Sequence, residues 1–119
     1  MTRTHIEKMI TALPGVYLDY PFGEGVAVYK VEGREKKEDV GREKADKMCA
    51  LSNEESNPVR VSLKCDPQLA ELLRERYESV LPGYHLNKKH WNTIICSGQL
   101  PEDELQDLIR HSYELVTTD

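Results

Sequence analysis

Residues 59–65 constrain the fold most. Val59, Val61, Leu63 and Cys65 alternate strictly with Arg60, Ser62 and Lys64. Alternation with a period of two puts the apolar set on one face of a strand and the polar set on the other. This is the signature of an antiparallel sheet with one packed and one wet face. Asp66-Pro67 follows at once. An Asp N-cap with Pro at the first helical position starts a helix, whose apolar stripe is read through Leu69, Leu72, Leu73, Tyr77 and Val80 to the stop at Pro82-Gly83.

The same rules place the other elements. Thr4 and Glu7 have capping-box spacing ahead of Ile6, Met9, Ile10 and Leu13, and Pro14-Gly15 ends that first helix. Strands are expected over residues 16–20, 26–31, 48–51 and 91–96, with a turn cluster over residues 52–58. Pro101 opens the last helix, with Glu102, Asp103 and Glu104 at its positive dipole end and Leu105, Leu108, Ile109, Ser112, Tyr113 and Val116 on its inner face. The predicted order is α-β-β-β-β-α-β-α, an α+β fold in which helices pack on an antiparallel sheet in two layers. Leu63, Leu72, Leu73, Ile95, Leu105, Leu108 and Ile109 are the expected core. Residues 34–46 are mostly charged, with signs that nearly cancel, and are read as an exposed loop insertion.

At 119 residues, 39% hydrophobic and 31% charged, the chain is one domain with one modest core. No apolar run approaches a membrane span, so no membrane partner is expected. Cys49, Cys65 and Cys96 are widely spaced and odd in number. That argues against a disulfide scaffold or zinc ribbon and for a reducing cytoplasm. All three are read as small buried apolar groups. Cys65 is the best candidate thiol, because a helix N-terminus lowers a thiol pKa. No nucleotide-binding loop, nucleophile elbow or metal motif occurs, so neither an enzyme nor a cofactor is expected. His85 and His90 lack acidic or Cys partners at ligand spacing.

The densest polar and aromatic cluster is residues 84–93, Tyr84-His85-Leu86-Asn87-Lys88-Lys89-His90-Trp91-Asn92-Thr93. Lys88 and Lys89 suit phosphates, Asn87 and Asn92 suit hydrogen bonding to a phosphate, sugar or base edge, and Trp91 suits base stacking. The same run suits a peptide or anion surface. The structural readings are a core Trp91, an Asn87 that closes a turn, and solvated lysines. Residues 60–95 carry net +2, whereas residues 96–119 carry −5 and residues 1–59 carry −2. Only the middle section is positive, and Arg60 and Lys64 extend its patch.

The fragments VSLKCDPQLAELLRERY, PGYHLNKKHWNTI and LPEDELQDLIRHSYELV, with ALPGV and DYPFG near the start, resemble the MmcQ/YjbR family over nearly the whole chain except residues 34–46. The resemblance implies a secretion-chaperone-like or CyaY-like α+β fold. It also implies DNA binding through a double-wing arrangement, which here would run through Arg60, Lys64, Asn87, Lys88, Lys89 and Trp91. With a net charge of −5, such binding is expected to be weak, or to need an oligomer or a second protein. The alternative is a protein-interaction module, adaptor-like or chaperone-like, with no nucleic-acid role. One continuous positive face would favour DNA, and a patchwork surface with an apolar groove would favour a protein partner.

Overall fold

A computed structural model describes residues 2–32 and 46–118. In chain order the elements are α1 (Arg3–Thr11), β1 (Val16–Asp19), β2 (Val26–Val31), β3 (Lys47–Asn53), β4 (Arg60–Lys64), α2 (Pro67–Arg76), β5 (Val80–Pro82), β6 (Trp91–Ile95) and α3 (Glu102–Thr117). The strands form one sheet in the order β1-β2-β3-β4-β6-β5, antiparallel at every pairing. The α+β antiparallel architecture is therefore as expected, with one strand added. Val80 belongs to that strand and not to α2. The helix stops at Arg76, Tyr77 is already extended, and Val80 pairs with Ile94. Apolar spacing could not separate these outcomes, but Leu81 precedes Pro82, and a residue before proline disfavours the helical region.

Asp66 caps α2 as expected, its carboxylate accepting from the amides of Gln68 and Leu69. At α1 the expected capping box is replaced by Thr2, whose hydroxyl accepts from the His5 amide. A shared side-chain contact joins α1 to α3, between His5 and Glu102. The charged insertion lies outside the described residues except for Asp46, which accepts from the Tyr17 hydroxyl. Among the described residues no helix is long and apolar enough to cross a membrane.

The three helices among the described residues pack on one face of the sheet: α1 on β1, α3 on β3 and β4, and α2 on β5 and β6. Between them lie Ile6, Ile10, Tyr29, Val61, Leu63, Leu73, Ile94, Leu105, Leu108 and Ile109, all buried. Two expected core residues are not there. Leu72 is 61% exposed, one helical step round from buried Leu73. Ile95 is half-buried on the opposite face, because it pairs with Arg60 and shares that residue's side of the sheet.

Ser112 pins α3 to the sheet. Its hydroxyl donates to the Cys49 carbonyl at 2.6 Å and accepts from the Lys64 amide at 2.9 Å. The register explains why it is needed. β2 pairs Tyr29 with Ala50 and Lys30 with Met48, so Cys49 is the extra residue of a bulge. The three cysteines are buried and unpaired by disulfides. Burial pushes each thiol up to about 11. This corrects the expectation of a lowered Cys65 thiol: desolvation first, and then the Asp66 carboxylate, raise it against a smaller lowering by Arg74.

Candidate functional site

Strand parity assigns the second face of the sheet. Val28, Leu51, Ser62, Thr93 and Leu81 form one row across it, and Val26, Asn53, Arg60 and Ile95 form the next. Among the described residues no helix covers this side. It was expected to be wet, yet Ser62 and Thr93 are buried. Their hydroxyls bond each other, and Thr93 also accepts from the Tyr84 amide; two loops form a roof over this face. Phe22 comes from the β1–β2 turn, and Tyr84, His85 and Leu86 come from the segment joining β5 to β6. Between roof and sheet runs a groove of about 720 Å³, with Val26, Met48, Leu51, Ser62 and Thr93 on the sheet side and Asn53, Ser56 and Arg60 completing the lining. Phe22 is 73% exposed and Tyr84 67%, so two large rings stand unburied at its lips.

The β5–β6 segment is held by its own polar residues. Gly83 donates its amide to the Trp91 carbonyl at 2.9 Å. A Cβ on Gly83 would lie 2.8 Å from the Trp91 Cβ and 3.0 Å from its carbonyl oxygen, so only glycine allows this approach. The Tyr84 amide donates to the Thr93 hydroxyl at 3.0 Å, and that hydroxyl shares a 2.7 Å bond with Ser62. His85 takes the left-handed conformation with φ of 58°, its ring 4.0 Å from that of Tyr84. The Asn87 carbonyl accepts from the amides of His90 and Trp91, and its side chain accepts from the Lys89 amide. The Lys88 ammonium donates to the Gly83 carbonyl at 3.0 Å, while Arg74 donates to the Lys88 carbonyl at 2.8 Å.

The six residues singled out from sequence therefore divide. Arg60, Lys64 and Trp91 share the open face, with Lys64 directly opposite Trp91. Of the six, only Arg60 lines the groove. Asn87 closes a turn, Lys88 ties its own loop, and Lys89 is exposed. The groove itself draws on Phe22, Met48, Leu51, Tyr84, Leu86 and Thr93, none of them chosen for chemistry. Tyr84, Leu86 and Thr93 do lie within the cluster at residues 84–93.

Charge on this face is mixed. Lys30 donates to the Asp19 carboxylate at 3.0 Å, which with the Tyr20 amide holds that carboxyl below its usual range. Tyr17 is pushed up to about 12 by its bond to Asp46. The Arg60 side chain makes no hydrogen bond or ion pair to a described residue. Lys64, on the same face but outside the groove, likewise makes no side-chain hydrogen bond or ion pair to a described residue, so among the described residues the groove is an apolar slot with Arg60 as its one unmatched cation.

The YjbR family model matches residues 11–115, and the chain belongs to that family. It is similar to the Escherichia coli O157:H7 protein YbdF, 36% identical over 92% of this chain and 80% of that one. The Escherichia coli K12 protein YjbR is 44% identical over 58% of each chain. Among solved structures, a Deinococcus radiodurans protein with a DUF419 domain superposes with a TM-score of 0.85 at 38% identity, covering 99% of this chain and 80% of that one. A Pseudomonas syringae protein superposes at 0.72 and 25% identity, covering 97% and 98%. YbdF and YjbR are themselves uncharacterised and bring no activity with them.

Proposed function

We propose that this protein is a non-enzymatic cytoplasmic binding module whose open sheet face holds an apolar segment of a partner protein. The groove carries this reading. Its volume of about 720 Å³ falls in the range of roughly 300–1,000 Å³ common for ligand sites. Its walls are chiefly apolar, and exposed Phe22 and Tyr84 offer the rigid ring surface that protein interfaces favour. The Ser62 and Thr93 hydroxyls are engaged with each other, with no base among their partners, which suits binding more than catalysis. Three reduced, buried thiols suit a cytoplasmic setting.

DNA binding is the second reading. One observation favours it: Arg60, Lys64 and Trp91 share a face in register. It ranks second because the Lys88 ammonium is held by Gly83 and Lys30 is matched by Asp19. The test is to pan a random peptide library against the wild-type protein and against Leu51→Lys, which places an ammonium in the groove. Thermal melts confirm that the variant folds. Peptides with bulky apolar residues that enrich on the wild type alone support the protein-partner reading. Enrichment that Leu51→Lys leaves unchanged contradicts it. Low-salt titration with single-stranded and duplex DNA is the companion experiment. Saturable binding lost in Lys88→Ala/Lys89→Ala would promote the DNA reading.

A further inference from the structure

We infer that the segment seated in the groove is acidic as well as apolar, with a carboxylate placed against Arg60. This deepens the protein-partner reading and rests on it. Among the described residues that line the groove, Arg60 is the only Lys, Arg, Asp or Glu. Its guanidinium presents five donors, and no described residue accepts from them. The other polar groups of the floor make no such demand. The Ser62 and Thr93 hydroxyls bond each other, and Thr93 also accepts from the Tyr84 amide.

An apolar occupant lying over Leu51 and Thr93 also shields Arg60, which pairs with Asn53 on one side and Ile95 on the other. Covering a guanidinium without an acceptor strips its water and returns nothing. A carboxylate on the occupant removes that penalty and adds a charge-assisted pair, bidentate where geometry allows. The span of the groove favours an extended chain. From Val26 on β2 to Thr93 on β6 the floor crosses three strand intervals, or about 14 Å. Roughly four extended residues cover that distance. The net charge of −5 repels an acidic partner at long range. Selectivity must therefore come from contact at Arg60, and added salt should not abolish it.

Isothermal titration calorimetry of the full chain tests the inference with two synthetic peptides, acetyl-Asp-Leu-Trp-Leu-Asp-amide and its counterpart with Lys at both ends. At physiological ionic strength the acidic peptide is expected to bind about tenfold more tightly, and Arg60→Gln should remove the preference without abolishing binding. Equal binding of the two peptides, or a preference that survives Arg60→Gln, overturns the acidic inference and leaves the apolar groove standing. A tighter Lys peptide overturns it too. Failure of both peptides on the wild type overturns the protein-partner reading itself. Dodecanoate that binds and displaces the acidic peptide at lower concentration overturns the assignment to a protein segment.

Discussion

Replacing Ser112 with alanine removes one oxygen and strands two backbone groups. The side chain is fully buried, and its hydroxyl bridges the Cys49 carbonyl and the Lys64 amide at 2.6 and 2.9 Å. Each bond contributes about 0.5–1.5 kcal/mol net, and a buried polar group left without a partner costs about 1–3 kcal/mol. Cys49 is buried and keeps the full penalty, whereas Lys64 is half-buried and its amide recovers part of its hydration. The expected loss is about 2–3 kcal/mol, or roughly 10 °C in Tm for a domain of this size. Urea unfolding followed by circular dichroism measures it. Thr11→Ala is the control: its hydroxyl donates to the Glu7 carbonyl on an exposed helix surface, and its loss should change stability by less than about 0.5 kcal/mol. A Ser112→Ala loss as small as the control's would refute the view that this bridge holds α3 against the bulge.

Other consequences are open to the same kind of measurement. Leu108 is buried in the main core, so Leu108→Ala should cost about 2–5 kcal/mol in urea melts; a loss below about 1 kcal/mol contradicts its placement. The three buried thiols, each raised to about 11, should stay unreactive to an aromatic disulfide reagent at neutral pH and all react after denaturation; a fast-reacting thiol in the native protein refutes their burial. Asp19 titrates below its ordinary value in the folded chain because Lys30 donates to it. A depressed carboxyl contributes stability above its unfolded pKa and loses it as pH falls through the folded value. The stability difference between wild type and Lys30→Met should therefore be present at neutral pH and fade below about pH 4; a difference that ignores pH rules the pair out.

What the sequence revealed depends on whether the determinant is local. The alternation at residues 59–65 and the cap at Asp66 are local: the strand forms and the helix starts where expected, although the helix ends at Arg76 rather than running through Val80. Leu72 and Leu73 both fit an apolar stripe, but only the position of α2 over β5 and β6 decides which one turns inward. Val80 shows the same ambiguity between helix and strand, resolved by pairing with Ile94. Ser62 alternates with the cations Arg60 and Lys64 and so reads as a wet position, but its hydroxyl is buried against that of Thr93, 31 residues along the chain.

The site was legible in part. The cluster at residues 84–93 does border the groove, through Tyr84, His85, Leu86 and Thr93. Its most polar members do other work, since Asn87 and Lys88 hold the loop together. Phe22, Met48 and Leu51 join the site only through the β2–β3–β4 pairings and the turn before β2. No spacing rule along the chain could place them beside Thr93.

The central claim is that the open sheet face is where the partner sits. The most direct measurement is methyl-resolved NMR of the full chain with a peptide selected from the library, reading intermolecular contacts residue by residue. The account predicts contacts from Val26, Met48, Leu51 and Leu86, with Phe22 and Tyr84 rings perturbed and the methyls of α2 and α3 unchanged. Contacts confined to the helical face, or to the outer surface around Lys89, would contradict it.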